Sequence, residues 1–204
     1  DPMRAARLAE EAGADGITAH LREDRRHIRD EDIATLAAML TVPLNFEMAA
    51  TEEMQRIALK HRPHAVCLVP ENRQEISTEG GLDVVGQIER VHEVTKAMNE
   101  ADIRTSLFID PEPEQIEATA RVEAPWIELH TGAFANVCHQ EGAMQDELLK
   151  PQDGAQLGHQ LGLTWSHWKA LEEAGTCPAW PSAYAKPPAT DALSRIALKL
   201  AIRR

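Results

Sequence analysis

Cysteine is scarce: Cys67, Cys138 and Cys177 are the only three in 204 residues. Their wide spacing excludes a disulfide framework and a zinc-binding pattern, and predicts a reducing, cytoplasmic setting. Long apolar runs are lacking as well, so no membrane-spanning segment is expected. No charged-then-apolar leader opens the chain, so secretion is not expected either. Basic charge is in deficit, with 21 Lys and Arg against 33 Asp and Glu and a net charge of −12. That balance argues against a general binder of nucleic acid or of anionic membrane. No Gly-x-Gly-x-x-Gly follows an apolar run, which lowers the weight of a dinucleotide site. No His-x-x-x-His pair offers local metal-ligand spacing.

What is present is an ordinary globular composition, 43% apolar and 26% charged, enough for one domain. The charge is uneven. Residues 165–204 hold six basic and three acidic residues, whereas residues 1–164 hold 15 basic and 30 acidic. The expected division is a body over 1–164 and a divergent tail over 165–204. Asp1-Pro2 opens inside a helical pattern, and the expectation is that a segment precedes it.

Periodicity predicts alternating elements. A helix over 3–12 ends at Gly13, and Gly16–Leu21 reads as a strand. Asp30 is expected to cap a second helix, followed by a strand over Leu44–Met48. Thr51 caps a third helix reaching His61, and Ala65–Val69 is a third strand. A helix carries Val84, Ile88, Val91, Thr95 and Met98, and Thr105–Ile109 is a fourth strand. Asp110-Pro111 reads as a cap with proline in the first turn. Trp126–His130 is a fifth strand, and 141–161 is helical. Beyond Leu163 the period fades, with helices expected over 166–174 and 190–203.

Apolar strands joined by helices imply a parallel sheet covered on both faces. Polar residues recur at the strand C-termini: His20, Glu47, Glu71, Asp110, Glu128 and His130. A (β/α)8 TIM barrel builds its site on that rim, so the fold class predicted is α/β and barrel, rather than a doubly wound open sheet. A full barrel takes about 250 residues. The expectation is therefore an incomplete one, with its first strand absent and strands seven and eight not recognisable.

The densest chemical feature is the run from His20 to Arg29, with Arg22, Arg25, Arg26 and Arg29. Guanidinium forks match phosphate oxygens, so the loop could capture a phosphorylated small molecule. Equally, its arginines could pair with Glu23, Asp24, Asp30 and Glu31 in solvent. Glu47 closes an apolar strand, where burial would raise its pKa and suit it to proton transfer, unless it pairs with a loop arginine. Glu128 and His130 alternate on one strand and share a face, as catalytic groups or as a structural pair. The loop from Arg73 through Ser77 to Gly80-Gly81 could hold phosphate or sugar oxygens, or simply connect. The cysteines read as packing residues or unreactive thiols. The main rival is a metal-dependent sugar-processing barrel with His20, His27, Glu47, Glu128 and His130 converging. The arginines would repel its cation.

Several long motifs lie in register over residues 1–162. They are Ala12 through Asp30, Asn45 through Ala49, Cys67 through Glu75, Thr78 through Asp83, Ser106 through Asp110, and Ile127 through Gly132. Together they resemble the pyridoxine 5′-phosphate synthase family of vitamin B6 biosynthesis. The resemblance implies a TIM barrel condensing 1-deoxy-D-xylulose 5-phosphate with 3-amino-2-oxopropyl phosphate to pyridoxine 5′-phosphate, phosphate and water. It implies no metal and no organic cofactor, and a homo-oligomer. It makes His20 and Glu47 the general acid/base residues and Arg22, His27 and Ser77 contacts of the deoxyxylulose phosphate, with Ser in place of the family's usual Thr. Glu128 and His130 are further candidates. The family's seventh-strand Asn-Ala-Gly-His-Gly is replaced by Leu161-Gly-Leu-Thr-Trp-Ser-His-Trp, and its eighth-strand Gly-His is missing. The tail therefore looks frameshifted or recombined, and the chain is expected to be impaired, or to persist as a non-catalytic barrel remnant.

Overall fold

The computed structural model describes residues 1–70, 80–137, 141–166 and 197–199. Helix α1 spans Pro2–Glu11, with the Asp1 carboxylate accepting from the Arg4 N–H at 3.2 Å and proline in the first turn. Strand β1 follows at Gly16–His20. Helix α2 spans Asp30–Met39 and β2 Leu44–Met48. Asp30 is inside α2 rather than its cap. Arg29 takes the cap position, and its backbone N–H is satisfied by the Asp32 carboxylate at 2.9 Å. Helix α3 spans Glu52–His61 as expected, capped by the Thr51 hydroxyl. Its exit turns on Arg62 at φ 48°.

Strand β3 is Ala65–Leu68, helix α4 Ile88–Glu100 and strand β4 Arg104–Ile109. Helix α5 begins at Pro113, two residues later than the first Pro suggested, and runs to Arg121 with Glu112 at the cap. Asp110 is thereby released from capping. Strand β5 is Trp126–Leu129, followed by the short helix α6 at Gly132–Val137 and by α7 at Glu141–Gln160. Strand β6 is Thr164–Ser166, so Ser166 is extended and not helical, and the rest of the 166–174 helix lies outside the described residues. Ala197–Lys199 forms strand β7, where the sequence pattern had suggested helix.

All seven strands belong to one sheet in the order β6-β5-β4-β3-β2-β1-β7, and every pairing is parallel. Strands β1 to β6 lie beside their neighbours in sequence, and the last strand lies beside the first. An open doubly wound sheet reverses its order at a switch point, whereas a barrel winds in one direction. The order here is the barrel's.

The strand side chains divide in two by the period of 2. Ile17, Phe46, Met48, Val66, Leu68, Leu107 and Ile127 face the helices and form the main core with them. On the other face Cys67, Val69 and Phe108 form a separate apolar cluster. That second face also carries the alternating polar set Thr18, His20, Asn45, Glu47, Ser106 and Glu128. It is the barrel interior, and the chemistry lies on it.

Candidate active site

His20 and Glu47 are partners in the β1–β2 register. The His20 Nδ1 lies 3.9 Å from Glu47 Oε2, with the two side chains 16% and 5% exposed. The pairing is close enough for electrostatic coupling but longer than a hydrogen bond. It also places a carboxylate in a nearly closed interior. The ladder extends one residue past β1, with the Leu21 N–H donating to Glu47 O at 3.2 Å. Arg22 therefore leaves directly from the rim beside the His20–Glu47 pair.

The next strands continue the row. Cys67 on β3 is the register partner of Glu47, and Ser106 on β4 is the partner of Cys67. Burial pushes the Cys67 thiol up, and the negative charges of Glu128 and Glu47 add to the effect. The thiol is held neutral between two carboxylates, in line with an unreactive cysteine. The Ser106 hydroxyl donates to Glu128 Oε1 at 2.8 Å. Glu128 on β5 is in register with Phe108.

His130 sits one residue beyond β5, and its N–H donates to Ile109 O at 2.8 Å. Its Nδ1 lies 2.8 Å from Asp110 Oδ1. The other carboxylate oxygen of Asp110 accepts from the Gly81 N–H at 3.0 Å. The hydrogen bond from His130 holds the Asp110 carboxyl below its ordinary value against the opposing effect of burial, and the Gly81 N–H helps. The His130 ring also meets Phe108 edge-on, with centroids 5.3 Å apart and planes at 69°. Glu128 and His130 share a face, but they take different partners, Ser106 and Asp110.

The arginine-rich loop is largely occupied by its own carboxylates. Arg25 donates to Asp30 at 3.0 Å and to Glu53 at 2.5 Å, and to the Glu23 carbonyl at 2.8 Å. Those carboxylates hold the guanidinium above its ordinary value. Arg26 bonds Asp24 at 2.8 Å, and Arg29 is exposed beside Glu31. Arg22 differs from these: its side chain is only 11% exposed, with Asp24 at 3.4 Å. His27 lies exposed on the same loop. Ser77, with Glu71 and Arg73, lies outside the described residues.

The structure thus gathers His20, Glu47, Cys67, Ser106 and Glu128 across five adjacent strands, with Arg22 and His130 at the rim. Sequence reasoning missed Ser106 and the use of Asp110. The available signal was the alternation Ser106, Phe108, Asp110, which puts all three on the face of Glu128 and His130. Among the described residues no group of three or more His, Cys, Asp or Glu is arranged to hold a metal ion. Among them no helix is long and apolar enough to cross a membrane.

A parallel, singly wound sheet with a row of ionisable groups along its carboxyl rim marks an α/β protein of the TIM-barrel class. Solved structures of the same architecture include mandelate oxidase with benzoyl-formic acid, with a TM-score of 0.55 and 15% identity over 81% of this chain and 57% of that one. Mandelate oxidase with (S)-2-phenylpropionate gives 0.54 and 14% over the same shares. Both share the fold alone. The family described as "Pyridoxal phosphate biosynthesis protein PdxJ" matches residues 1–173, and the chain belongs to it. Similar relatives are the pyridoxine 5′-phosphate synthases of Jannaschia sp. (strain CCS1) and Bradyrhizobium diazoefficiens, each 60% identical over 166 residues, 80% of this chain. That of Zymomonas mobilis subsp. mobilis is 56% identical over 163 residues. The chain spans 66% of the length of the first two and 63% of the third.

Proposed function

We propose that the chain is the barrel of a pyridoxine 5′-phosphate synthase, condensing 1-deoxy-D-xylulose 5-phosphate with 3-amino-2-oxopropyl phosphate to pyridoxine 5′-phosphate, phosphate and water. The observation that carries this reading is the 60% identity to synthases over 166 residues. The site chemistry is compatible with it. Amine attack on a ketone, dehydration, phosphate elimination and ring closure each require proton transfer. In this reading His20 and Glu47 exchange those protons, their register pairing keeping the two groups coupled. Arg22, His27 and Ser77 hold the deoxyxylulose phosphate, and of the four loop arginines Arg22 is the least exposed. The body over 1–164 performs the chemistry, and 165–204 is a divergent extension. A cytoplasmic location and assembly with further copies complete the reading.

The test is Glu47→Gln in the full chain, assayed for pyridoxine 5′-phosphate by mass spectrometry and for deoxyxylulose phosphate binding by calorimetry. Turnover should fall by about 10²-fold or more, with affinity for the deoxyxylulose phosphate within threefold of the parent. Parent-level product from the variant would remove the role given to Glu47. Substrate binding without turnover in the parent chain would favour a non-catalytic barrel remnant, and turnover abolished by a chelator would favour a metal-dependent barrel.

A further inference from the structure

Asp110 and His130 stand outside the His20–Glu47 pair, and their geometry is more constrained than a packing contact requires. An ionised carboxylate only accepts hydrogen bonds, and Asp110 is held below its ordinary value. The 2.8 Å contact at His130 Nδ1 therefore fixes the proton on Nδ1 and leaves the lone pair on Nε2. The ring cannot easily turn out of this arrangement. Phe108 lies edge-on at 5.3 Å, and the second Asp110 oxygen is anchored by the Gly81 N–H at 3.0 Å. Gly81 itself admits no side chain, because a Cβ there would lie 2.1 Å from the Asp110 nitrogen.

The Nε2 side lies against another glycine. A Cβ on Gly132 would lie 2.6 Å from His130 Nε2 and 3.0 Å from its Cε1. Any side chain at 132 would crowd that nitrogen, and 13% of the His130 side chain is exposed. A histidine with one nitrogen locked to a carboxylate and the other open into a site is the arrangement of a general base.

We infer that Asp110 and His130 form a second proton-transfer unit of the pocket, with Asp110 positioning the ring and His130 Nε2 meeting the bound deoxyxylulose phosphate. In use, Nε2 takes a proton from the substrate, the imidazolium is stabilised by Asp110, and the same proton is returned to a departing oxygen. This rests on the synthase reading, because it names that reading's substrate.

The experiment uses the full chain labelled with 15N-histidine. Long-range 1H–15N spectra at pH 8 should find His130 protonated on Nδ1 and bare on Nε2, and Asp110→Ala should release the ring to the other tautomer. Carbethoxylation of His130 by diethyl pyrocarbonate, mapped by mass spectrometry, should slow at least fivefold with saturating 1-deoxy-D-xylulose 5-phosphate. Gly132→Ala, at a position with ordinary backbone angles, should slow it comparably without substrate. A ring protonated on Nε2 in the parent chain would overturn the inference. So would an unchanged modification rate while calorimetry records bound substrate. Absence of binding in calorimetry would instead remove the synthase reading, and the substrate contact with it, even if the Nδ1–H tautomer were found.

Discussion

Asp110 has one carboxylate with two duties, and its pKa carries a consequence for acid stability. A carboxylate whose folded pKa is depressed stabilises the fold above its unfolded value, about 3.9 for Asp. That contribution is lost as the pH falls through the depressed folded value. The melting temperature of Asp110→Ala should therefore lie below that of the parent chain at pH 7, and the gap should close as the pH is lowered from 4 toward 2. Calorimetric scans across that range would measure it, and a gap that widens in acid would contradict the assignment. Residues whose role is set by their own strand were legible in the sequence. His20 and Glu47 declare themselves as polar groups ending apolar strands. Asp110 stands on the same rim, but its tie to His130 was hidden, because Asp-Pro carries the local signature of a helix start. The imidazole that claims it is 20 positions further along, and such a partner is a product of register.

At the scale of elements, local chemistry fixes most of the boundaries. Thr51 followed by Glu52 and Glu53 gives a capping hydroxyl and an acidic first turn, and α3 begins where those residues say. Thr51→Ala should cost about 1 kcal/mol, read as a lower urea midpoint with unchanged slope, and an unchanged midpoint would deny the cap its role. Three elements escaped the sequence, α6, β6 and β7, and the first and last did so for different reasons. Helix α6 has six residues, too few for a period of 3.6 to show itself. Ala197–Lys199 consists of good helix formers, and pairing with the edge of β1 overrides that preference. Tertiary contact decides the state of a three-residue segment, because so short a piece has almost no intrinsic stability.

For the whole molecule, the α/β barrel class was readable because five strands alternate with helices and end in polar residues. The doubly wound alternative is excluded by the strand order itself. Which strands meet edge to edge was not readable, and there the arrangement has a kinetic consequence. Ile17 on β1 finds Leu44 on β2 across 27 residues, whereas Gly16 finds Ala197 on β7 across about 180. Closing the longer loop costs about 1.7 kcal/mol more in chain entropy, and β7 offers only three residues in return. The β1–β5 region condenses from near neighbours, and β7 docks last. What docks last on so small a contact is also the first to leave. In native-state hydrogen exchange, the amides of Ala197–Lys199 should open with a lower free energy than those of β2 and β3, through a local event that leaves the sheet's centre intact. Uniform exchange across the strands would mean instead that the chain opens as one unit, with its two most distant segments in sequence as firmly joined as its nearest.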